Sequence, residues 1–77
     1  MVIDHDLSEL GREVRRLREA QNLSQEELAE RSGLHRNYIG GIERGERNVG
    51  IKAFFSLARG LKIHPSEILR HCTFDAE

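Results

Sequence analysis

Leu7, Leu10, Val14 and Leu17 recur at intervals of three and four, the spacing of a helix that buries one stripe. Asp6 followed by Glu9 has the spacing of a capping box, so this helix is predicted to start near Leu7 and to run to about Ala20. Its other face carries Arg12, Arg15 and Arg16 among Glu9, Glu13 and Glu19, which reads as a solvated surface of mixed charge. After a link through Asn22, a residue tolerant of left-handed backbone, Ser24 and Glu27 form a second capping box and start a helix near Gln25. Leu28 and Ala29 face inward, and the helix is expected to stop before Gly33, which supplies positive φ for a sharp turn. Ile39 and Ile42 mark one face of the next run, with Leu34 at its start. The stretch from Gly45 to Gly50 lacks periodicity and reads as a loop. Ile51, Phe54, Leu57, Ala58 and Leu61 then form a buried stripe with Gly60 as the residue just past the helix end. Pro65 suits the first position of a last short helix bearing Ile68 and Leu69. Residues up to His5 are expected to fray and the tail after His71 to be disordered. Strand alternation is absent and no proline interrupts a helix, so the expected fold is all-α, a compact five-helix bundle forming a single domain over residues 1–77 with its core over about 7–71.

Residues 25–44 read as a helix-turn-helix, in which the small Ala29 sits where the two backbones cross and Arg36, Asn37, Gly40, Gly41 and Arg44 are left pointing outward. An ordinary αα-hairpin is the plainer alternative. The outward set has the chemistry of nucleic-acid contact. Arg36, in the first turn of the second helix, can reach guanine O6 and N7 in a major groove. Asn37 can pair with adenine or with a phosphate, and Tyr38 can give its hydroxyl to a phosphate while its ring packs. Gln25 opens the first helix of the pair, where an amide and free backbone N–H groups can meet a phosphate oxygen. Arg44, Arg47 and Asn48 follow the second helix and are expected to face phosphates. Gly40 and Gly41 cost the helix about 1 kcal/mol each relative to alanine; either they let it approach the groove floor or packing simply tolerates them.

Composition qualifies this picture. The chain has 77 residues and a formal charge of −1 from 12 basic and 13 acidic side chains, but residues 31–52 hold five cations against two acids. Ten of the twelve cations are arginine, which suits bidentate contacts to phosphate and guanine and equally follows from a GC-rich genome. A chain this short buries a modest core, so dimerisation would add buried area. Cys72 is the single cysteine, which excludes an internal disulfide and fits a reducing cytoplasm. No secretory or membrane-length apolar run is present. The histidines His5, His35, His64 and His71 have no zinc-ligand spacing, with His35 and His64 better read as helix-end residues, and no catalytic constellation or phosphate-cradling loop can be assembled. No metal, cofactor or enzymatic activity is expected.

The run SQEELAERSGLHRNYIGGIERGERN resembles the Cro/cI-like helix-turn-helix DNA-binding domains, also called the xenobiotic-response-element class, over about residues 8–70. Within that class RNYIGGIERGERN is similar to the controller proteins of restriction-modification systems. The resemblance implies a lambda-repressor-like bundle and a transcriptional regulator that binds double-stranded DNA as a homodimer on a near-palindromic operator, occluding or recruiting RNA polymerase. It implies Gln25 at the DNA backbone, Arg47 as a second base reader, and an ion pair between Arg18 and Glu43 that bridges the first helix to the recognition helix. Three positions depart from the pattern: Gly50 stands where serine or threonine caps a helix, Gly41 where a polar base-contacting side chain is common, and Phe55 where a polar side chain is usual. An exposed Phe55 beside Ile63, Ile68 or Leu69 is an expected isologous contact. The alternatives are a phage-type repressor and an antitoxin-like interaction protein with an ancillary helix-turn-helix; the lack of a toxin-wrapping segment weighs against the latter.

Overall fold

A computed structural model describes residues 4–73. Among these residues the chain forms five helices: α1 His5–Ala20, α2 Gln25–Ser32, α3 Arg36–Glu43, α4 Ile51–Leu61 and α5 Pro65–Leu69. The all-α bundle read from the periodicity is borne out. Helix α2 packs chiefly on α4, and α1 on α3, with α5 closing over α1 and α4. Val14, Leu28, Ile39, Leu57, Leu61 and Ile68 are fully buried at the centre, and Leu10, Leu17, Leu34, Tyr38, Val49, Phe54 and Ile63 pack around them.

Local chemistry sets the helix ends. The Ser24 Oγ accepts from the Glu27 backbone N–H at 3.0 Å and the Ser24 N–H donates to Glu27 Oε1 at 2.8 Å, so the capping box is reciprocal. Helix α1 starts earlier than its spacing suggested: Asp4 Oδ1 accepts from the Leu7 N–H at 3.0 Å, which makes Asp4 the cap and places Asp6 in the first turn, where its charge suits the helix dipole. Helix α2 turns at Gly33, φ 72°. Helix α3 closes with paired bonds, Glu46 N–H to Gly41 O at 2.9 Å and Gly45 N–H to Ile42 O at 3.0 Å, around Gly45 at φ 74°. Asn22 and Lys62, both at φ 58°, perform the same turn after α1 and α4.

Several expectations need correction. Gly60 does not follow α4; it is buried inside that helix, where an added Cβ would lie 3.1 Å from both Leu28 and Ser32 side-chain carbons, so α4 and α2 cross tightly there. Gly11 marks a still closer approach, of α1 to α3, with the carbonyl oxygens of Ile42 and Glu43 where a side chain would begin. Ile51 is 64% exposed, because the first turn of α4 projects beyond the core. Glu13 is buried rather than solvated and accepts from Arg16 Nη2 at 2.8 Å. Of the expected frayed start, residues 1–3 lie outside the described residues and His5 is helical; of the expected disordered tail, residues 74–77 lie outside, while the Thr73 N–H donates to Glu9 Oε1 at 2.8 Å. That bond, with the neighbouring Arg12, holds the Glu9 carboxyl below its usual range.

Candidate nucleic-acid interface

Helix α3 is fixed from its inner side by one charged network. Arg18 donates through Nε to Glu43 Oε2 at 2.7 Å and through Nη2 to Oε1 at 2.9 Å, while its Nη1 donates to the Leu23 carbonyl at 2.7 Å. The Glu43 side chain is only 3% exposed, so an acid close to the candidate surface is neutralised from below. Its hydrogen bonds and charge raise the already high pKa of Arg18 against the opposing effect of burial. Gln25 joins the network by donating from Nε2 to Glu43 Oε1 at 3.1 Å. Since a carboxylate only accepts, this contact fixes which end of the Gln25 amide faces inward. Three elements are thereby joined: the end of α1, the start of α2 and the end of α3.

The outer side is open. Gln25, Arg36, Asn37, Gly40 and Arg44 line one polar depression of about 140 Å³. His35 Nδ1 caps α3 by accepting from the Asn37 N–H at 3.0 Å, which holds the first turn with Arg36 and Asn37 exposed. Arg36 Nε lies 3.1 Å from Glu26 Oε2, and Arg44 Nε 3.1 Å from Glu46 Oε1, each pair more than half exposed. Glu26 escaped the sequence reading: it lies ten residues before Arg36, and only the fold of the hairpin brings them together.

Gly40 and Gly41 do not point outward into solvent; both are buried. The Arg44 guanidinium and the Gln25 amide cover Gly40, and the stem of Arg47 covers Gly41. The Arg47 Cζ then sits 5.9 Å from the centre of the half-buried Tyr38 ring. Asn48 is exposed but does not join this group; it lines a separate cleft with Asp6, Leu7, Val49, Leu69 and Cys72, because the backbone has turned away after Gly45.

Of the expected dimer residues, Phe55 and Leu69 are 42% and 52% exposed and Ile63 is half-buried, but Ile68 is fully buried in the core. On a helix as short as α5 adjacent residues point about 100° apart, so Ile68 turns inward where Leu69 turns out. Ile51 takes its place in the exposed set, four residues before Phe55 on the same face of α4. Cys72, half-buried with its Sγ 3.6 Å from the Ile68 carbonyl, has its thiol pKa pushed up by burial and by Glu13 and Glu9, which suits an inert packing residue. Among the described residues no cluster of metal-ligating side chains occurs, and no helix is long and apolar enough to cross a membrane.

Two short helices joined at Gly33, the second presenting a polar face and anchored from beneath, define a helix-turn-helix protein. Residues 14–68 match the family described as Helix-turn-helix, and the chain belongs to that family, within its branch of restriction-modification control proteins. It is 50% identical over 60 residues to Control protein C.SmaI of Serratia marcescens, covering 78% of this chain and 71% of that protein. The structure of the restriction-modification controller protein C.AhdI from Aeromonas hydrophila has a TM-score of 0.81 at 51% identity, over 82% of this chain and 96% of that one. That of the controller C.Esp1396I, a tetramer in complex with its natural 35 base-pair operator, has a TM-score of 0.78 at 34% identity, over 83% of this chain and 84% of that one.

Proposed function

We propose that this chain is a sequence-specific transcriptional regulator of the controller type, which binds a near-palindromic operator as a homodimer and governs restriction-modification genes by occluding or recruiting RNA polymerase in the cytoplasm. The observation that carries the reading is the exposed first turn of α3, Arg36 and Asn37, beside Gln25 and Arg44 in one polar depression above the Arg18–Glu43 pair. Arg36 and Asn37 read base edges there, and Gln25, Tyr38 and Arg44 hold the phosphate backbone. The role of Asn48 as a backbone contact has less support, because it lines a different cleft. The chemistry is binding alone, with no cofactor and no catalytic step.

Dimerisation falls to the apolar surface of Ile51, Phe55 and Leu69, with Ile63, half-buried after the end of α4, as a further candidate. A twofold axis there would present two copies of α3 to half-sites roughly 34 Å apart, one turn of duplex. Selection of bound sequences from random duplex DNA should enrich one near-palindrome, and sedimentation should show a dimer at micromolar concentration that Phe55→Glu converts to a folded monomer. Enrichment of no sequence at all would defeat the reading. A Phe55→Glu variant that remains dimeric would move the interface elsewhere.

A further inference from the structure

Beyond its first turn, α3 offers little side-chain chemistry at Gly40 and Gly41, yet neither glycine is open to solvent. A Cβ built on Gly41 would stand 2.8 Å from Arg47 Cγ, 3.2 Å from Nε and 3.5 Å from Cδ. The near contact is with the stem of the arginine, so a methyl group there cannot be accommodated by moving the guanidinium alone. Carried across the helix in this way, the guanidinium reaches the Tyr38 ring, where cation and ring face attract. Residues 38 and 41 are three apart on one helix face, so a single side chain from the loop can span both.

We propose that Gly41 is a specificity-determining position because it is the seat of Arg47: the missing side chain lets a loop residue lie on the recognition helix and supply the base-reading group that α3 itself lacks at its second turn. Tyr38 is the positioning residue at the far end of the seat. The closing turn explains why the loop can deliver it. The Glu46 N–H to Gly41 O bond, 2.9 Å, doubles the chain back at Gly45, so Arg47 starts directly beside the residue it covers. Gly41 thus contributes through what it allows another residue to do. This differs from a glycine that merely lets the helix backbone sink closer to DNA, since Arg47 would then lie in the way.

The proposal rests on the DNA-binding reading above, and its test keeps the two apart. Wild type, Gly41→Ala, Arg47→Ala and the double variant are titrated against the duplex enriched by wild type and against a scrambled duplex. Gly41→Ala should lose about tenfold to hundredfold in preference for the enriched duplex, the size of one base contact, and Arg47→Ala should lose the same. Adding Gly41→Ala to Arg47→Ala should cost nothing further, because the seat is already empty. The thermal midpoint of Gly41→Ala should be unchanged or a few degrees higher, since alanine is the better helix former. An equal loss from Gly41→Ala with and without Arg47 would overturn the proposal and show that the methyl group meets DNA directly. An unfolded double variant would overturn it too, by showing that Gly41 packs against something other than Arg47. A readout without DNA is the NMR shift of the Arg47 side-chain protons: ring-shifted by Tyr38 in wild type and unshifted in Gly41→Ala if the seat exists, unshifted in both if it does not. Failure of wild type to enrich any sequence, with the ring shift present, would defeat the regulator reading and leave the seat standing as structure alone.

Discussion

On its inner side α3 carries Glu43, held in two charge-assisted bonds by Arg18, whose Nη1 donates to the Leu23 carbonyl and whose Nη2 lies 3.9 Å from Glu19 Oε2; on its outer side Arg36 and Arg44 each rest against one solvent-exposed carboxylate. The chemistry of the pairs is the same and their environments are opposite. Inside, removal of either partner strands a charge that solvent cannot reach, so the pair behaves as a fixed bolt. Outside, solvent screens both charges, and a phosphate or a guanine can replace the carboxylate at small cost. On the function proposed above, α3 needs both arrangements: a rigid placement of its first turn, and outward groups whose resting contacts can be exchanged.

Drawing the bolt should have the largest effect. Glu43→Ala and Arg18→Ala should each destabilise the fold by about 3 kcal/mol, with the double variant well short of additive, as measured by denaturant unfolding. Additive losses would mean that the two side chains act separately. Gly11→Ala should come next, at about 2–3 kcal/mol, because its methyl group would meet the Ile42 and Glu43 carbonyls, which are backbone and can yield only by pushing α3 off α1. An unaltered unfolding midpoint would show that α3 is not gripped at that point. On the outer side Glu26→Ala should change stability by less than about 0.5 kcal/mol while raising affinity for scrambled DNA several-fold at low salt, since it frees Arg36 and removes an acid from the surface. A loss of stability comparable to that of Glu43→Ala would erase the distinction between the two sides.

The smallest effect concerns acid. The Glu27 carboxyl is held below its ordinary value of 4.5, first by the Ser24 backbone N–H, and a depressed carboxyl contributes stability that is present above that value and lost as pH falls through the folded one. Glu27→Gln keeps a hydrogen bond for the cap but cannot titrate. It should be slightly less stable than wild type at neutral pH, with the two converging once the pH has fallen through the lowered carboxyl value. Parallel unfolding curves across that range would remove Glu27 from the acid response.

How much of this was legible in the sequence follows from the range of the interactions. The Ser24–Glu27 box, the turn at Gly33 and the stripe through Leu57, Ala58 and Leu61 depend on neighbours a few residues away, and spacing reveals them. Arg18 and Glu43 are 25 residues apart; only the family resemblance suggested that they meet, since no local pattern links them. Gly11 and Gly60 were misread or passed over because their role is to let another helix's backbone come close, which leaves no periodic signature. Gly40 and Gly41 looked exposed for a related reason: a helical wheel places them outward, and only the fold lays Arg44 and Gln25 over Gly40 and, through the return of the chain at Gly45, Arg47 over Gly41. Ile68 and Ile51 exchanged roles because the ends of short helices leave the core on a residue-by-residue basis.

Rigid anchoring of α3 is what would let Arg36 read sequence. Its most direct test is a titration of Arg36→Ala against the enriched duplex and a scrambled one at two salt concentrations. The expected result is a loss of about 1–3 kcal/mol on the enriched duplex, relaxed preference at one symmetric pair of positions, and a much smaller loss on scrambled DNA. Equal losses on both duplexes would contradict the account and make Arg36 a phosphate contact, with no part in reading the bases.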